Sequence, residues 1–164
     1  MAKRIVIRKG DVFVVKTDCY KRYFQYVVDD LTQLNSRIIK VFKESYPLNV
    51  DVNIHQIVQG EVDFYTHTMI RDGVRNHYWE KVGKAEIVDN IVFLFRSSLD
   101  YIEGNKVAVS NRWKVWHAND NCMKYIGKLT DEYKKAEIGF VDDAESVYIR
   151  IITGKVRGYY PAYE

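Results

Sequence analysis

Arg8-Lys9-Gly10-Asp11-Val12-Phe13-Val14-Val15, followed by Tyr23-Phe24-Gln25-Tyr26-Val27-Val28, decides the fold of this 164-residue chain. Both runs are dense in β-branched and aromatic residues, which suit the pleated surface of a strand. The Gly10-Asp11 pair supplies backbone freedom just ahead of the first run, so a turn leading into a strand is predicted there. Nothing in either run belongs to a reactive site.

Working outward, residues 4–16 read as one or two strands broken at Gly10-Asp11, and residues 22–29 as the next. Residues 29–36 form a loop closing a wide hairpin, and residues 37–42 return as a strand. Helix competes over residues 31–45, and the β-branched Ile38, Ile39 and Val41 favour strand. Pro47 pushes Tyr46 out of helical geometry and ends that element. Residues 51–60 are a short helical candidate, with Val52, Ile54, Ile57 and Val58 on one face and Gly60 as its cap. Residues 63–70 alternate as a strand, and Asp72-Gly73 reads as a turn. Residues 78–82 and 91–95 are further strands. In the second half, Arg112-Trp113-Lys114-Val115-Trp116-His117-Ala118 alternates polar with apolar, Asn119-Asp120-Asn121 is a turn, and residues 122–129 run back. The best helix comes late: Asp142 or Asp143 caps it, Glu145 suits its positive end, Val147 and Ile151 form its stripe, and Gly154 breaks it. Tyr159-Tyr160-Pro161-Ala162-Tyr163 closes the chain as an extended aromatic tail. The predicted fold class is α+β: a mainly antiparallel, strongly curved β-sheet or partly open barrel with two short helices, in one domain over residues 1–164.

Composition agrees with a packed domain. Hydrophobic residues make up 47% of the chain, and thirteen tyrosines and seven phenylalanines against two prolines favour sheet over bundle. Ile5-Val6-Ile7 is too short for a signal peptide or a membrane span, which makes the cytoplasm the expected location. Cys19 and Cys122 form no CxxC pair and are expected as free thiols. The net charge of +3 is unevenly spread, at +5 over residues 1–50, −3 over 51–100 and +1 over 101–164. No block of five like charges occurs, so spacing for solubility explains the pattern better than a polar molecule with two unlike faces.

Catalytic and metal signatures are missing from the sequence. His55, His67, His77 and His117 are spread singly, without the short ligand spacings of a zinc site. There is no Gly-x-Ser-x-Gly, no phosphate-cradling glycine loop, and neither cysteine sits in a nucleophile context. Neither cofactor nor metal is therefore expected. A reaction centre would have to be assembled from scattered residues such as Asp63, His67 and Cys122. Tyr20-Lys21-Arg22-Tyr23-Phe24 and Arg112-Trp113-Lys114-Val115-Trp116 interleave aromatics with cations, as small nucleic-acid-binding barrels do. Strand alternation explains the same pattern as rings inward and cations outward. A protein interface would use the same aromatics, with Tyr20, Trp113 and Trp116 as the positions to examine.

Lys9-Gly10-Asp11-Val12-Phe13, the hairpin through Tyr23-Phe24-Gln25-Tyr26-Val27 and Gln33-Leu34-Asn35-Ser36, and the strand Ile39-Lys40-Val41-Phe42 together resemble a bacterial immunity-protein family, number twenty-six among polymorphic-toxin immunity proteins. Phe64-Tyr65-Thr66-His67 and Trp79-Glu80-Lys81-Val82-Gly83 are similar to a subgroup of it. The resemblance covers roughly the first third of the chain. It implies a non-enzymatic, cytoplasmic, β-rich protein that binds and blocks a cognate toxin. The alternative expectation is a small nucleic-acid-binding or ribonuclease-like barrel.

Overall fold

The computed structural model describes residues 4–88 and 92–164. In chain order the elements are β1 (Asp11–Lys16), β2 (Tyr20–Asp30), β3 (Ser36–Phe42), β4 (Tyr46–Pro47), α1 (Ile54–Ile57), β5 (Val62–Thr68), α2 (Ile70–Arg75), β6 (Glu80–Lys84), β7 (Leu94–Ser98), α3 (Leu99–Ile102), β8 (Trp113–His117), β9 (Lys124–Gly127), β10 (Glu137–Ile138), β11 (Val141–Asp142) and α4 (Ala144–Thr153). They form an α+β fold with two sheets. The larger runs β11-β5-β3-β2-β1-β6, with β4 also paired to β2, and the smaller runs β10-β7-β8-β9. Pairing is antiparallel except where the two-residue strands β11 and β10 lie parallel to β5 and β7.

The opening turn forms as its residues dictate. Gly10 has φ +89, a value that favours glycine, and its N–H donates to Tyr26 O at 2.8 Å. The Asp11 carboxylate accepts from Arg8 N at 2.7 Å and lies 2.8 Å from Lys81 Nζ, which ties the start of β1 to β6. On one face of the larger sheet Phe13 stacks on Phe24 at 5.0 Å and Trp79 meets Phe24 edge-on. Ile39, Val41 and Phe64 continue this layer, and Val147 and Ile151 of α4 cover it. Fully burying each such aliphatic side chain contributes about 1.5–3 kcal/mol. Asp143 caps α4 by accepting from Ser146 N, and Gly154 closes it at φ 72. Arg22 then donates to Ile151 O at 2.6 Å, to Phe42 O at 2.7 Å and to Asp63 at 2.7 Å, binding the last turn of α4 to the sheet.

The opposite face is covered in two parts. Ile57, Val58 and Ala85 lie over Val12, Val14, Tyr23 and Phe42. Phe95 and Trp116 of the smaller sheet lie over Val27 and Ile38. The tips of two hairpins join here as well: Leu31 N donates to Asn119 Oδ1 at 2.8 Å, and Asn119 Nδ2 donates to Asp29 O at 2.9 Å.

Several expectations are corrected. Neither sheet closes or curls strongly, so the strongly curved sheet or partly open barrel gives way to two open sheets. Closure would need the outer strands of one sheet to meet, and here they cannot match. β6 presents exposed Glu80, Lys81 and Lys84, while β11 is only two residues long. Among the described residues there are four helices rather than two. The expected turn at Asp72-Gly73 lies inside α2, where a Cβ on Gly73 would overlap the Trp79 ring. α3 was not anticipated. Its cap is Ser98, whose Oγ accepts from Tyr101 N. The first strand begins at Asp11, the helix expected over 51–60 shrinks to α1, and Tyr46-Pro47, expected to end the preceding element, itself pairs with β2 as β4. The strand expected over 78–82 is β6, two residues later. The one expected over 91–95 is β7, with Ile91 outside the described residues. The β2–β3 and β8–β9 hairpins form as expected.

Candidate functional site

The residues that the sequence offered for chemistry are not brought together. His67 Nε2 lies 2.8 Å from Asp30 Oδ2 with both side chains fully buried, Asp63 pairs with Arg22, and Cys122 is an exposed free thiol, as is Cys19. Burial pushes the His67 pKa below its ordinary value, against the pull of Asp30. Burial alone would raise the Asp30 carboxyl, but hydrogen bonds from His67, Thr32 and Asn119 outweigh it and hold the group below its usual range. The pair is therefore a neutral imidazole donating from Nε2 to a carboxylate. Its Nδ1 lone pair has no donor among the described residues. This buried pair joins β5 to the β2–β3 loop and to Asn119. Among the described residues no group of three or more His, Cys, Asp or Glu side chains could hold a metal ion.

The aromatic and cationic positions divide differently. Trp113 and Trp116 are 0% and 2% exposed, so both rings belong to the interior, but three residues apart on β8 they face opposite sides, Trp113 packing with Leu94 and Val115 and Trp116 with Val27, Ile38 and Phe95. Trp113 Nε1 donates to Ser110 O at 2.7 Å. Tyr20 is half-buried and donates from its hydroxyl to Ile152 O. Arg22 is bound as described above, and Arg112 bridges Asp100 and Glu103 at 2.9 and 2.7 Å. Lys114 alone among these cations has no hydrogen-bond or ion-pair partner in the described residues.

Lys114 lies in a groove of about 210 Å³ on the smaller sheet, lined also by Trp116, Phe140, Tyr101, Ile102 and Leu34. Strand alternation sets Lys114 and Trp116, two residues apart on β8, toward the same side. A register shift between Trp113 and Lys114 in the β8–β9 pairing sits beside them and sets Tyr125 opposite Lys114. α3 supplies Tyr101 and Ile102, the segment after β10 supplies Phe140, and the β2–β3 loop supplies Leu34. Gly139 lacks a side chain where one is impossible, because a Cβ there would overlap the Trp116 ring. The Trp116 indole N–H is buried and has no acceptor among the described residues. The groove is thus apolar, with one half-buried cation in its walls that has no partner among the described residues. In two larger clefts three of the four lining cations have partners among the described residues, Arg4 being the exception. In the cleft of about 430 Å³ beside Tyr23, Lys16 pairs with Glu80 and Lys21 donates to Leu48 O. In that of about 610 Å³ beside Val74, Lys81 pairs with Asp11.

Alternation along β8 is the signal that could have found the Lys114–Trp116 side. Phe140, Tyr101 and Leu34 come from distant segments, and nothing in their local sequence announces that they meet. No protein-family model, no curated protein and no solved structure matches the chain.

Proposed function

We propose that this chain is a non-enzymatic, immunity-type protein that binds and neutralises a cognate bacterial toxin in the cytoplasm. The observation that carries the reading is the apolar groove with Lys114, which has no partner among the described residues. Such a surface has the aromatic and charged anchors from which protein interfaces draw most of their energy. The ionisable groups that the sequence offered for catalysis are engaged with other side chains, His67 on Asp30 and Asp63 on Arg22, which supports docking over reaction. The opening strands, through Gly10-Asp11-Val12-Phe13, support the immunity family in particular.

Nucleic acid is the alternative partner, and the engagement of Arg22 and Arg112 by carboxylates weighs against it. Co-expression with toxins encoded beside its gene, followed by pull-down, tests the reading. A retained toxin is the expected result. Binding to no neighbouring toxin, together with salt-sensitive retention of nucleic acid on filters, would replace the proposal with the alternative.

A further inference from the structure

We infer that the groove on the smaller sheet receives an acidic, apolar segment of a partner protein, with one carboxylate seated on Lys114. The inference rests on the protein-binding reading above and names the chemistry of the segment bound. Lys114 is half-buried among aromatic and aliphatic side chains and has no anion within the described residues. An incoming carboxylate would supply the counter-charge that Lys114 lacks, through a charge-assisted hydrogen bond. A lone ammonium is a donor only, so it suits a carboxylate or a carbonyl and cannot be satisfied by a second cation.

The rest of the surface is apolar. Ile102 is 55% exposed and Tyr101 41% exposed, with Phe140 and Leu34 beside them. Tyr125, opposite Lys114 on the outer strand β9, extends that apolar surface toward the free sheet edge. The volume of about 210 Å³ holds one or two side chains, not a folded domain. A nucleic-acid strand would need several cations along its phosphates, and Lys114 is the one charged residue lining the groove. One carboxylate flanked by apolar side chains fits it.

Titration of the isotope-labelled full chain by heteronuclear NMR tests this, with N-acetyl-Phe-Glu-Leu-amide as the probe. The comparison ligands are N-acetyl-Phe-Gln-Leu-amide and a ten-residue oligothymidylate, and the comparison protein is Lys114→Gln, whose fold the same spectra verify. The expected result is shifts confined to Ser97, Lys114, the Trp116 indole and neighbouring amides. Affinity should fall roughly tenfold for the glutamine peptide and for Lys114→Gln, the scale of one charge-assisted contact. Unmoved groove signals, equal binding of the two peptides, or stronger shifts with the oligothymidylate would overturn the inference. Peptide binding without any toxin in the pull-down would sink the immunity reading and leave this one standing. A toxin held equally by wild type and Lys114→Gln, with no peptide shifts, would do the reverse.

Discussion

His67 Nε2 and Asp30 Oδ2 lie 2.8 Å apart with neither side chain reaching solvent, and this contact locks strand β5 to the junction of the two hairpins. Because burial keeps the folded imidazole from protonating, the unfolded chain binds a proton that the native state refuses. Stability should therefore fall as pH drops below about 6.5, the ordinary histidine value. Asp30, held below its usual range, adds a loss of the same sign at lower pH. Urea midpoints at pH 7 and pH 5 check this. His67→Gln, which can still donate to Asp30 but cannot titrate, should flatten the slope between them, and an unchanged slope would refute the assignment.

Asp142 works in the opposite direction. Burial raises its pKa to about 6, with Thr66 and Arg150 pulling down and Asp143 pushing up. Between about pH 4 and 6 the folded state holds a proton that the unfolded state has released, so this group lowers stability as pH rises. Asp142→Asn keeps an acceptor for Thr66 Oγ1. Relative to wild type, the variant should gain up to about 3 kcal/mol on going from pH 4 to pH 7, read from denaturant curves at both values. A pH-independent difference would show that Asp142 does not titrate in that window.

Gly73 sets two effects against each other. Alanine is the better helix former by about 1 kcal/mol, yet its Cβ would run into the buried Trp79 ring. Overpacking of a tight core costs about 1–3 kcal/mol or more, so Gly73→Ala should destabilise on balance. Thermal unfolding followed by tryptophan fluorescence measures it, and a raised Tm would mean that Trp79 has room to move.

That glycine also shows why the sequence was only partly legible. Gly10-Asp11, the β-branched runs of β2 and β3, and the Asp143 and Gly154 caps act through local backbone preferences, so the strands and the late helix could be anticipated. Asp72-Gly73 has the local chemistry of a turn, and only the approach of Trp79 explains a glycine within α2. The division into two sheets depends on long-range pairings such as Glu137 with Phe95 and Val141 with His67, in strands too short to carry a periodicity. The site divides in the same way. The spacing along β8 puts Lys114 and Trp116 on one side and Trp113 on the other, whereas the burial of both rings and the meeting of Lys114 with Phe140 and Leu34 are products of tertiary packing.

The most direct test of the central claim is the activity of the purified neighbouring toxin titrated with this chain. The account predicts that activity is abolished at about one equivalent, the stoichiometry of a single docking surface, and that Lys114→Glu, which sets like charge against an acidic segment, requires a large excess. Full toxin activity in the presence of excess wild-type chain would contradict it.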